Sequence, residues 1–136
     1  VTIGGPHVEL YDRFLDEIGA RKDAVATPGM KHLLDTCMDW IRKSPITGMA
    51  VVLTYEMQSP ATAKLQADAL EDHYDVSEKG LDFWKLHAEI DDDHAAWIAD
   101  ALAEMTDDLD VIKQAATDIS RAWKVFLDER MELAAA

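Results

Sequence analysis

From Phe83 to His94 the chain reads FWKLHAEIDDDH, and the spacing of its polar residues decides the fold. At about 100° per residue, His87, Asp91 and His94 fall within roughly 60° of arc on an α-helix, so two imidazoles and one carboxylate share one face. Glu89, Asp92 and Asp93 point well away from that arc. The acidic run therefore divides into one inward carboxylate and several solvated ones. Phe83 lies one turn before His87 and Trp84 three residues before it, which puts aromatic walls beside the same face.

Working outward, the rest of the sequence is also helical. Pro6 suits a first helical position, and Val8, Leu10, Tyr11, Phe14, Leu15 and Ile18 follow at helical spacing, predicting a helix over about 6–20. After the Pro28-Gly29 turn, Leu33, Leu34, Cys37, Trp40 and Ile41 mark a second helix that stops before Pro45. A third runs from Thr47 to about Gln58, and a fourth reaches Tyr74 through Leu65, Ala69 and Leu70, with Pro60 either kinking one helix or dividing two. Ser77 is placed as the N-cap of a long helix to about Met105. The last starts at Thr106 or Asp107, with Leu109, Ile112, Ile119, Trp123, Phe126 and Leu127 inward. Nothing alternates with period two over a useful length. The expectation is an all-α helical bundle, with residues 1–136 as a single domain.

Composition narrows the partners. The 136 residues carry 13 basic and 27 acidic side chains, a formal charge of −14, which repels phosphate backbones and anionic lipid surfaces. No nucleic acid and no membrane is expected. One cysteine, Cys37, cannot close an intramolecular disulfide, and a reducing cytoplasm is the simplest compartment. The chain opens at Val1 on a Gly4-Gly5-Pro6 segment that reads like an interior loop of something longer.

Imidazole nitrogens and carboxylate oxygens suit iron, manganese or zinc. A single histidine on an apolar face is more often a hydrogen-bonded core residue, but three such groups on one arc leave many polar atoms to satisfy without a metal. Glu56 ends an apolar stripe of Met49, Val52 and Leu53. It is read either as an inward ligand or as a rim carboxylate that reaches solvent or a lysine such as Lys85. His7, in a first helical turn, has the weakest claim from spacing alone, and His32 and His73 are taken as surface residues.

The stretch Tyr55-Glu56-Met57-Gln58-Ser59-Pro60, a helix ending at His73-Tyr74, and the HxxxDxxH pattern of His87, Asp91 and His94 resemble the haem-oxygenase-like di-iron oxidases. These are iron-containing redox enzymes, here most similar to the pyrroloquinoline-quinone synthase C and TENA-like group. The opening HVELYDRFLDEIG and the closing AWKVFLDE extend the resemblance over most of the chain. It implies a haem-oxygenase-like bundle lacking the family's N-terminal helices, with this chain a C-terminal portion of a longer one. It also implies His7, Glu56, His87, Asp91 and His94 as metal ligands, all but one of the set usual for two irons. The remaining family ligand, a glutamate, would fall before Val1.

The expected activity is that of an enzyme: an O2-dependent non-haem oxidoreductase that uses Fe(II)/Fe(III), two ions, to oxidise a small organic substrate. Tyr55 and Trp84 are the candidate catalytic aromatics beside the ligands, lining the pocket or donating electrons, though both also suit an ordinary core. A homodimer is expected to cover exposed surface. Competing readings are a cofactor-free oxidase of the quinone-synthase type, a thiaminase-like hydrolase using Cys37, haem binding through His7, and a non-catalytic helical interaction module.

Overall fold

Prolines and their caps divide the chain into helices. A computed structural model describes residues 6–106 and 108–135, the side chains of Asp91 and Asp92 excepted. Among the described residues there are six helices and no strand, so the chain is all-α. They are α1 (His7–Glu17), α2 (Pro28–Lys43), α3 (Pro45–Glu56), α4 (Ser59–Tyr74), α5 (Asp82–Met105) and α6 (Leu109–Ala134). Pro60 divides two helices, standing in the first turn of α4 where its missing N–H costs no hydrogen bond.

Several boundaries differ from the sequence expectation, each for a local reason: α2 takes in Pro28-Gly29 behind a Thr27 cap, and α6 begins at Leu109 behind an Asp108 cap rather than at Thr106 or Asp107. α3 begins at Pro45, because Ser44 and Thr47 cap each other. Thr47 N–H donates to Ser44 Oγ at 3.2 Å and Ser44 N–H to Thr47 Oγ1 at 3.0 Å. α5 begins at Asp82, since Ser77 caps only a single turn, in which Leu81 N–H reaches Ser77 O at 3.0 Å. α1 stops at Glu17, and Gly19 then takes a left-handed φ of 66°, which a residue with a Cβ adopts only at a cost.

The contacts cluster into two compact units. The first comprises Val1–Ala24 and Glu56–His94. Its core is Phe14, Val76 and Leu81, joined by Leu15, Leu70 and Trp84. Two polar ties hold α1 to the segment around the start of α5. Glu17 accepts from Ser77 N–H at 2.5 Å and from Ser77 Oγ at 2.8 Å, and Arg13 donates to Asp82 at 2.8 Å. α4 buries Ala63 and Ala67 rather than Leu65 and Ala69, and Leu65 is 70% exposed. Apart from Leu70, the inward face of this helix is made of small residues, which the hydrophobic pattern alone conceals.

The second unit comprises Val25–Tyr55 and Ala95–Ala136. Trp40, Ala50, Val51, Ala115 and Ile119 form its core, with Cys37, Val111, Ile112 and Trp123 against it. α6 turns Ala115, Ile119 and Ala122 inward and leaves Leu109 and Leu127 exposed. Its alanines admit close approach. At Gly29, near the start of α2, an added Cβ would stand 3.1 Å from Phe126 Cα.

At that approach Glu129 clamps the N-terminal end of α2. Thr27 Oγ1 donates to its Oε2 at 2.5 Å and Gly29 N–H to its Oε1 at 3.0 Å. The Thr27 hydrogen bond above all, then that of Gly29, and finally Arg130 hold the Glu129 carboxyl below its ordinary value, with partial burial opposing them. A carboxyl depressed in the folded state contributes stability that is present above its unfolded pKa and is lost as pH falls through the folded value. Urea midpoints of wild type and Glu129→Gln are therefore expected to differ at neutral pH and to converge in acid. A gap that widens on acidification would contradict the clamp.

Candidate metal centre

All the residues expected to hold metal belong to the first unit. α5 carries His87, Asp91 and His94 along one side of a regular helix, and α1 begins at His7. Glu56 is the last residue of α3.

The best-defined of these is His87. Its Nδ1 lies 2.7 Å from the carbonyl oxygen of Phe83, one turn earlier on α5. A carbonyl only accepts, so Nδ1 carries a proton, and in the neutral ring Nε2 is the nitrogen with the lone pair. A bond of this kind fixes the tautomer and ring orientation of metal-binding histidines. The His7 ring stands edge-on to that of His87, with centroids 4.8 Å apart. Spacing alone gave His7 little support. The fold sets it directly beside the residue it was expected to join.

Glu56 and His94 form a second pair. His94 Nδ1 is 3.6 Å from Glu56 Oε2, with side-chain exposures of 34% and 18%. That distance is too long for a direct hydrogen bond between those two atoms. Glu56 is thus mostly covered, and it faces a histidine. The side chain of Asp91 lies outside the described residues. Among the described side chains, no three of His, Cys, Asp or Glu are gathered closely enough to hold an ion as they stand. The donors form two pairs, His7 with His87 and Glu56 with His94. In chemical type, neutral imidazole and carboxylate oxygen, they fit iron.

One wall of this region is aromatic. Phe83 lies 4.2 Å from His87 between ring centroids, Tyr11 is 4.9 Å from Phe83, and Trp84 is 5.1 Å from Phe83. Trp84 also stands edge-on to Phe14 at 5.3 Å. The place of Tyr11 in this wall is not apparent from sequence, where the residue is one member of an apolar stripe. The Phe83 carbonyl was equally hidden, since a backbone group leaves no mark in a residue pattern. Tyr55 belongs to the second unit, where its ring lies 6.0 Å from Trp123.

His32 and His73 are exposed, as expected. Burial pushes the Cys37 thiol up, which keeps it protonated, opposite to the activated thiolate that hydrolysis through cysteine requires. No helix is long and apolar enough to cross a membrane among the described residues.

A sequence profile of the family described as iron-containing redox enzyme matches residues 3–127. Comparison with curated proteins finds no match.

Proposed function

The chain belongs to the iron-containing redox enzymes, and from that premise we propose that it is an O2-dependent non-haem di-iron oxidase of a small organic substrate. The observation that carries this reading is the hydrogen bond between His87 Nδ1 and Phe83 O, which in the neutral ring leaves Nε2 as a donor to metal, beside His7. His7, Glu56, His87, Asp91 and His94 would hold the metal. Iron, when bound, supplies the electrons and the binding position for O2.

The protein's own part is to position and shield. Phe83 O orients the His87 imidazole, and the buried Glu56 carboxylate brings negative charge beside His94 to offset that of a cation. Phe83, Tyr11 and Trp84 limit water on one side. Of the two aromatic candidates, Trp84 stands in this wall and Tyr55 packs on Trp123. The same reading takes the compartment to be a reducing cytoplasm. It takes the working form to be a homodimer, whose interface would cover the exposed Leu34, Met38 and Ile41 of α2.

Anaerobic Fe(II) loading, desalting and elemental analysis test this, followed by stopped-flow absorption on mixing with O2. Uptake of about two irons per chain, as in other carboxylate-bridged bundles, is expected, with an O2-dependent spectral change. Substrate oxidation that persists after complete iron removal would favour the cofactor-free alternative. A chain that takes up no iron would favour the interaction module, and a Soret band on titration with haem would redirect the reading to haem.

A further inference from the structure

Trp84 and Tyr11 have features that an ordinary aromatic core does not call for. A buried indole N–H usually finds an acceptor. Trp84 Nε1 is buried with no hydrogen-bond partner among the described residues. Tyr11 is 39% exposed, although three aromatic rings surround it: Phe83 at 4.9 Å, Phe14 at 5.9 Å and Trp84 at 6.2 Å. Phe83 in turn touches the His87 ring at 4.2 Å. The rings thus run without a gap from a metal-binding imidazole to a phenol that reaches solvent.

We infer that Tyr11 and Trp84 form an electron relay that discharges the iron site when O2 has oxidised it and no substrate is bound, with Tyr11 as the terminus at the surface. The relay rests on the metal reading given above. Tyrosine and tryptophan are the residues of this cluster that give up one electron readily, and phenylalanine serves as the contact between them and His87. Iron, when bound and oxidised by O2, would take one electron from Trp84 through Phe83 and His87. Among the described residues the oxidised indole has no acceptor for its N–H proton, so it stays a cation and takes an electron from Tyr11. Tyr11 releases its phenolic proton to water and is left as a neutral radical. A soluble one-electron reductant, such as a thiol or ascorbate, returns the electron, and water returns the proton. Oxidising equivalents that would otherwise attack the ligands leave by this route.

The experiment uses the full chain loaded with Fe(II), exposed to O2 without organic substrate, and frozen for electron paramagnetic resonance. Iron content and O2 consumption are measured on the same samples. Wild type is expected to give a tyrosyl signal that narrows when the protein carries ring-deuterated tyrosine. Tyr11→Phe, which keeps the ring, should lose that signal at unchanged iron content and accumulate an added oxygen on Trp84 by peptide mass spectrometry. Trp84→Phe should slow growth of the Tyr11 signal. Wild type that binds iron and consumes O2 without a tyrosyl signal overturns the relay alone, as does a signal undiminished in Tyr11→Phe. Wild type that takes up no iron overturns the metal reading and the relay with it.

Discussion

His87→Ala, loaded anaerobically with Fe(II) and desalted, is expected to lose most of its iron while its far-ultraviolet circular dichroism stays near that of wild type. The imidazole is held by one bond to its own helix and lies edge-on to His7. Its removal takes away a donor and leaves the tie between α1 and α5 from Arg13 to Asp82 in place. Losing a group that merely orients a ligand typically costs about 10- to 100-fold in metal affinity, and losing the ligand itself should cost at least as much. His94→Ala should behave alike, because its imidazole is the neighbour of the buried Glu56 carboxylate. Equal iron content in wild type and both variants would reject the assignment of these residues.

Leu81→Ala is expected to destabilise the fold by about 2–5 kcal/mol, the usual range for emptying a leucine site in a tight core. Leu81 is 1% exposed and stands immediately before α5, packed with Phe14 and Val76. It anchors the helix that carries His87 against the one that begins at His7. The variant should therefore also bind iron more weakly, although no ligand has changed. Leu81→Met conserves most of the volume, so a loss below about 1.5 kcal/mol is expected there. Urea denaturation followed by circular dichroism measures both, and equal midpoints for Leu81→Ala and wild type would show that the site is not a core position.

The sequence reading reached the helices well where prolines and periodic apolar residues agreed, as at the end of α2 before Pro45 and the end of α5 at Met105, and it left Pro60 open between a kink and a division. It failed where the inward face was made of alanine. Ala63 and Ala67 carry little hydrophobic signal, so Leu65 drew the expected core of α4 onto a face that is exposed. Ser77 misled for another reason, since its side chain is bound by Glu17, a residue 60 positions away. Within the candidate site, helix geometry alone predicts the arc of His87, Asp91 and His94, and the side chain of Asp91 lies outside the described residues. The pairings of His7 with His87 and Glu56 with His94 depend on tertiary contacts, and periodicity has no access to those. The resemblance to a known family supplied the names of these residues, while their arrangement came from the fold.

The partner that sets the proton on His87 is a main-chain oxygen, and no codon change at residue 83 removes it. Replacement of the Phe83 side chain can widen, narrow or repolarise the wall while the same nitrogen of His87 stays protonated. Under the proposed function, drift in what the wall admits would thereby be uncoupled from drift in how His87 is held, and a lineage built on this helix could change diet without first rebuilding its hearth.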